Sequence, residues 1–424
     1  MAATERKSLI PVKETTIVPY NNGAVYTTGT IIQILFGAGD VNTWLVQDSF
    51  FQFNYKITLA SGASDAYIRS TCMLFDWVEV IYQGKQVYIQ NFNQQAKFID
   101  YVQEGGDYLD SEIYSFTTSK NKQYTRMKLQ AGANVLTSCI IRVGELFNIF
   151  SQVTEIPMSF LDNQIQLNFH LADPATYLMN ATPLQTWGWI SKFTPIASTD
   201  IVAGSFSIDR FEFHIKDKVE SSLSSMSPDR TLKFDYSMPQ IALRGIEAGD
   251  FPASSSVNLP FSIVTENVDN MGIYFYKIGS PTLAYRPELI NVNFKYGNNT
   301  SPFSPINVDN YTHPGVYKAI INDVFDISSA IYNTTNFDFD RSYDYLQAGT
   351  ADADNGKEDC HIVLATDFVT SAGILGSPSS VWNSQYIFQA NASGKGIPQS
   401  IACMWVKSKY IAYIRDGKLE SVNI

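Results

Sequence analysis

The chain has 424 residues, with 30 Lys and Arg against 41 Asp and Glu, for a formal net charge of −11. Only 17% of the residues are charged while 13% are aromatic, against about 25% charged in an average soluble domain. A disordered acidic protein, which lacks the apolar surface needed to collapse, is excluded. So is a protein built mainly to grip nucleic acid, because no basic excess exists to displace counterions. The length gives a prior of roughly two or three domains. The 27 Phe and 24 Tyr point to strands.

Residues 1–13 are polar and lack the apolar stretch of a signal peptide, and no run approaches the roughly 20 apolar residues of a membrane-spanning helix. The expectation is therefore a soluble protein made in the cytoplasm. Cys72, Cys139, Cys360 and Cys403 are too few and too scattered for a disulfide framework. They read as small buried hydrophobes. Asn-x-Ser/Thr sites at Asn180, Asn298, Asn310, Asn333 and Asn391 read as chance matches.

In chain order, the first clear element is Phe51-Gln52-Phe53-Asn54-Tyr55-Lys56-Ile57-Thr58-Leu59. Strict alternation puts five apolar side chains on one face and four polar ones on the other, the pattern of a half-buried strand. Residues 73–82 are apolar on both faces, as in a central strand of a packed sandwich. Val143, Leu146, Phe147 and Phe150 follow helical spacing and predict a short helix. Residues 164–171 alternate again. A boundary is expected near residues 197–205, after the loop Asn180-Ala181-Thr182-Pro183 and Trp187-Gly188-Trp189.

A fresh strand follows, in which Phe206 and Ile208 continue to Phe211, Phe213 and Ile215 with a one-residue phase slip. A β-bulge near Asp209-Arg210 would absorb it. Residues 217–257, rich in Ser and Pro, read as a long loop with one strand at 232–236. Residues 290–296 alternate, and Tyr317, Ile320, Ile321 and Val324 predict a second short helix with Pro314 near its start. Residues 333–359 read as a second long loop. Its seven acids, Asp338, Asp340, Asp344, Asp352, Asp354, Glu358 and Asp359, stand against Arg341 and Lys357, a local net of −5. Loops this long in compact domains are usually functional.

Chemistry is mostly missing. His170, His214, His313 and His361 show no ligand spacing, and the His pair of a metal-binding cupin is absent. His170 falls on the polar face of its strand, where a solvated or hydrogen-bonded surface role is expected. Asp352-Ala353-Asp354-Asn355-Gly356 starts like a calcium loop, but its Gly comes one position early and no Glu occupies the twelfth. There is no Gly-x-Ser-x-Gly elbow, and Gly394-Lys395-Gly396 lacks the upstream glycine of a phosphate loop. The paired Glu of jelly-roll glycanases is missing, and Asp338-Phe339-Asp340 alone is weak evidence within a run of acids. Tyr343, Tyr345, Trp382 and Tyr386 are candidates for stacking on sugars, with packing the commoner role. No catalytic, cofactor-binding or metal-binding residue is assigned, no cofactor is expected, and the chain is read as a non-enzyme.

The order of several motifs resembles the double jelly-roll major capsid proteins of tailless icosahedral viruses, a lineage with membrane-containing bacteriophages, adenoviruses, virophages and polinton-like viruses. The first motif is Leu74-Phe75-Asp76-Trp77-Val78-Glu79-Val80-Ile81-Tyr82-Gln83-Gly84-Lys85-Gln86-Val87, followed by Tyr88-Ile89-Gln90-Asn91-Phe92-Asn93. Next come the helix at 143–150, Glu155-Ile156-Pro157 and the strand at 164–171, similar to the close of the family's first roll. Ser205-Phe206-Ser207-Ile208 would open the second roll. Asn258-Leu259-Pro260-Phe261-Ser262, Ile401-Ala402-Cys403 and Lys409-Tyr410-Ile411 through Asp416-Gly417 would continue and close it.

The resemblance implies an all-β fold of two consecutive eight-stranded antiparallel jelly rolls with one short helix in each. It divides the chain into an N-terminal arm (1–19), a first roll (20–200) and a second roll (201–424) carrying the loops 217–257 and 333–359. The implied function is a major capsid subunit forming pseudo-hexagonal homotrimeric capsomers that tile an icosahedral shell. The alternative is a carbohydrate- or receptor-binding β-sandwich of a virus or bacterium. Implied partners are further copies of the chain, neighbouring capsomers, penton and minor capsid proteins. An inner membrane or the genome would meet the N-terminal arm, where Glu5-Arg6-Lys7 and Lys13 lie, without specific nucleic-acid recognition. The implied location is the virion, after synthesis in the host cytoplasm.

Overall fold

A computed structural model describes residues 12–20, 25–37, 42–63, 66–68, 71–92, 128–129, 134–183, 190–219, 229–246, 255–264, 268–277, 280–286, 291–296, 299–307, 357–358, 364–367, 385–394 and 400–423. The first part of the chain holds β1 (Val12–Ile17), β2 (Val25–Tyr26), β3 (Ile31–Phe36), β4 (Thr43–Thr58), β5 (Ala66–Ile68), β6 (Phe75–Tyr82) and β7 (Lys85–Asn91). It continues with β8 (Lys128–Leu129), β9 (Asn134–Arg142), α1 (Val143–Leu146), β10 (Glu155–Pro157), β11 (Ile165–Leu171), α2 (Pro174–Tyr177), β12 (Leu178–Pro183), β13 (Ile190–Pro195) and β14 (Ser207–Lys218). These strands make a six-stranded sheet ordered β1-β14-β4-β10, with β2 on β14 and β9 on β4. A four-stranded sheet, β3-β11-β6-β7, is its partner, and a smaller one runs β13-β12-β5-β8.

The alternating segments become strands whose apolar face is the core. Phe51, Phe53, Tyr55 and Ile57 of β4 are fully buried, as are Ile165, Leu167 and Phe169 of β11. The aromatic rings interlock: Phe51 lies edge-on to Phe169 at 5.0 Å, and Phe53 stacks on Phe211 at 5.2 Å. Each such ring contributes roughly 1.5–3 kcal/mol by leaving water. The expected short helix is a single turn, α1, followed by a 3-10 turn at Asn148–Phe150, with Val143, Leu146, Ile149 and Phe150 buried. The expected bulge is there too. The β14–β4 register shifts between Asp209 and Glu212, and Arg210 takes φ 49°.

Two expectations change. The strand beginning at Ser207, expected to open the second roll, is hydrogen-bonded between β1 and β4 in the first sheet. Its inward residues Ile208, Phe211 and Phe213 finish the first core. Alternation fixes which face a strand buries but not which neighbour it pairs with, so position after the 197–205 boundary was a poor guide. The described part of the expected loop at 217–257 is also largely strand. β14 runs to Lys218, β15 spans Leu232–Ile246 and β16 begins at Ser255. Pro239 and Gly245 conceal β15 in the sequence. Both are tolerated because β15 stands at the end of its sheet's pairing order.

The rest of the chain adds β16 (Ser255–Val264), β17 (Val268–Lys277), β18 (Ser280–Arg286), β19 (Asn291–Tyr296), β20 (Asn299–Asn307), β21 (Lys357–Glu358), β22 (Leu364–Asp367), β23 (Gln385–Gly394), β24 (Ser400–Arg415) and β25 (Lys418–Asn423). They form a seven-stranded sheet, β15-β24-β17-β18-β21 with β22 on β17 and β25 on β24, and a four-stranded sheet, β16-β23-β19-β20. The helix expected at 317–324 lies outside the described residues, as does the acidic loop 333–359 apart from β21.

Two tight turns bring the rolls together. The β6–β7 turn holds Gln83 and Gly84 at φ 51° and 72°, and the β24–β25 turn holds Asp416 and Gly417 at 52° and 75°. Both have the paired left-handed residues of a type I′ hairpin. The Tyr82 hydroxyl donates to the Gly417 carbonyl and accepts from the backbone N–H groups of Asp162 and Asn163 at 3.1 and 3.0 Å. A Cβ at position 417 would collide with the Asp162 carboxylate. Arg230 donates to that carboxylate at 3.2 Å and to the Ser159 carbonyl. Nearby, Tyr88 meets Tyr236 edge-on at 5.8 Å, and burial pushes the Tyr236 hydroxyl up to about 12. Phe234, Tyr236, Ala412, Ile414 and Leu419 join the same apolar cluster as the first roll.

Candidate assembly surface

Among the described residues the chemistry-bearing positions do not converge. His170 and His214 lie on the outward faces of different sheets. His313, His361, Asp338, Asp340, Tyr343, Tyr345, Trp382 and the Asp352–Gly356 run fall outside the described residues, as do Lys395 and Gly396. Tyr386 and Gly394 are in β23. Among the described residues no group of three or more His, Cys, Asp or Glu could hold a metal ion. Cys72 and Cys139 are buried and form no disulfide, and burial pushes the Cys139 thiol well up, away from the reactive thiolate. Among the described side chains, the outward faces of the first roll are the surfaces open to a partner.

On the six-stranded sheet, strand register sets Thr16, His214, Phe50 and Arg142 in one row, and Glu14, Lys216, Leu45 and Glu155 in another. Between and beyond them stand Glu212, Asp209, Lys218 and Lys56. His214 is the centre of this face. Its ring stacks on Phe50 at 4.7 Å, with Nδ1 3.0 Å from Glu14 Oε1 and Nε2 3.3 Å from Glu212 Oε2. Glu14 belongs to β1, so the imidazole fastens the edge strand. Lys218 pairs with the nearly buried Glu155, and Asn54 donates to Asp209 at 2.8 Å.

The face of the four-stranded sheet is different. Three rows cross it: Ile31, His170, Trp77 and Asn91; Gln33, Asn168, Glu79 and Ile89; Leu35, Gln166, Ile81 and Gln86. Glu79 and His170 are the two titratable groups among these twelve. Glu79 accepts from Asn168 at 2.7 Å, from Gln86 at 2.6 Å and from the His170 ring at 3.4 Å, while His170 stacks on Trp77 at 4.0 Å. Burial alone would raise the Glu79 carboxyl. The three hydrogen bonds and the His170 charge outweigh that and hold it below its ordinary value. His170 is thus hydrogen-bonded, one of the two roles expected for it. Glu79, Trp77 and Asn168 were missed as a cluster: alternation marks Asn168 as outward, but the run at 73–82 is apolar on both faces and hides which way Trp77 and Glu79 point.

No family model matches the sequence, and a comparison with curated proteins finds no match. Solved structures do match. A chain of the PBCV-1 virus capsid is 10% identical with a TM-score of 0.58, covering 100% of this chain and 99% of that one. The mavirus major capsid protein is 11% identical with a TM-score of 0.56, covering 97% and 90%. A chain of the Sputnik virophage is 8% identical with a TM-score of 0.60, covering 97% and 88%. The fold is therefore the double jelly roll found in viral major capsid proteins. Both rolls lie within this one chain, and the likeness runs through nearly its whole length.

Proposed function

We propose that the chain is the major capsid subunit of an icosahedral virus and assembles as homotrimeric, pseudo-hexagonal capsomers. The observation that carries this reading is the match of the whole double roll to capsid chains of nearly the same length. Two rolls per chain and a closed three-fold place six similar rolls around one axis, which lets a trimer tile a flat facet. The role is structural rather than catalytic and located in the virion. Its partners are copies of itself, neighbouring capsomers, and penton and minor capsid proteins, with an inner membrane or the genome as the contact of the N-terminal arm (1–19). The rolls divide between β14 and β15 rather than near residue 200, because β14 pairs inside the first sheet.

Expression of the full chain, followed by native mass spectrometry and negative-stain electron microscopy, tests the reading. The expected result is a trimer of the 47.4 kDa chain that yields hexagonal capsomers or shells. A monomer that forms neither at high concentration would sink it.

A further inference from the structure

A chain of net charge −11 repels its own copies, so two copies meet most readily where charge is least. The outward face of the β3-β11-β6-β7 sheet meets that condition. The two titratable groups of its twelve-residue grid, Glu79 and His170, are bonded to each other, and Glu79 also holds two neighbouring amides. Around them lie Leu35, Ile81 and Trp77, with Ile31 and Ile89 left 37% and 41% exposed. Little charge, with aliphatic and aromatic groups between satisfied amides, is the composition of an interface core. From strand spacing and rise the grid covers roughly 300 Å². A standard interface takes about 800 Å² from each partner, so the grid is a core that needs a rim.

We propose that this face docks on a second copy of the chain. The proposal rests on the capsomer reading and deepens it by assigning a contact surface. A basic partner finds little to grip, because the one carboxylate of the grid already accepts from three donors. An acidic copy is the partner that a nearly uncharged face fits. In a closed three-fold the contact is heterologous, so the face meets a different surface of the next copy.

The test compares wild type, Ile89→Lys, Ile31→Lys and, on the other sheet, Gln52→Lys, each as the full chain. Native mass spectrometry and sedimentation read the oligomer, and circular dichroism melting checks that each variant folds. The proposal expects trimers from wild type and Gln52→Lys, and at least about tenfold weaker self-association from both isoleucine variants, the loss typical of a truncated or charged core contact. Using two variants on opposite edge strands guards against one failing to fold. A trimeric wild type whose folded isoleucine variants are also trimers overturns the assigned face and leaves the capsomer reading standing. A monomeric wild type that builds no shell overturns both. Binding of a glycan by that monomer, lost in Ile89→Lys, would give the face to a sugar instead.

Discussion

The two sheets of the first roll share one core yet present opposite chemistry on their outer faces. The β1-β14-β4-β10 face is a field of alternating charge, with Glu14, Glu155 and Glu212 among Lys216, Lys218 and Arg142. The twelve-residue grid of the β3-β11-β6-β7 face holds its single carboxylate inside a hydrogen-bonded cluster and otherwise offers amides, aliphatics, His170 and Trp77. Both pack against the same inward aromatics, so the core does not account for the contrast. The difference teaches that one core can carry two unlike outer faces, one a lattice of charge pairs and the other a nearly neutral hydrogen-bonded cluster.

The comparison breaks most completely if the shared core is removed. Phe51→Ala should cost about 3–5 kcal/mol in a urea melt, and both faces should unfold in one transition. Separate transitions would mean the sheets do not depend on one core. Next, Lys218→Ala removes the cation paired with the nearly buried Glu155 carboxylate and should cost about 1–2 kcal/mol. Raising the salt should shrink that loss, because part of it is Coulombic, whereas a substitution such as Ile81→Ala on the other face should be insensitive to salt.

His214→Ala removes the group that joins Glu14 of β1 to β14. Hydrogen exchange at residues 12–17 should speed by about tenfold or less, the equivalent of roughly 1 kcal/mol, with exchange in β11 unchanged. The smallest effect concerns pH. Glu79 sits below its ordinary value in the folded chain, so its contribution is complete above the unfolded value and fades as pH falls through the folded one. The stability gap between wild type and Glu79→Gln should therefore be constant near neutrality and close under acid. A gap that widened below pH 4 would have the sign wrong.

Much of the fold was legible because half-buried strands write their burial into the sequence with period two. Phe51–Leu59, 164–171 and the slip at Asp209-Arg210 were read that way. Pairing was not legible. Asn54 and Asp209, 155 positions apart, meet only because β4 and β14 are neighbours, and no local pattern encodes that. The same limit hid the Glu79 cluster, whose members come from β6 and β11, some 90 positions apart. His170 read as an outward residue and Trp77 as part of a strand apolar on both faces, and their stacking depends on the register of two strands. β15 was hidden for another reason: its Ser, Pro and Gly read as loop, and an edge position tolerates them.

The placement of β14 also bears on how the protein is made. During synthesis β4 leaves the ribosome long before β14, and until β14 arrives the middle of the six-stranded sheet is missing. A nascent chain stopped near residue 200 would display β4 with one long backbone edge bare, a template for pairing with its neighbours. One stopped at 219–229 would already carry the missing strand. The smallest fragment that emerges as a self-contained folding unit thus ends beyond β14, and the late arrival of that strand sets a window in which a crowded polysome risks aggregation.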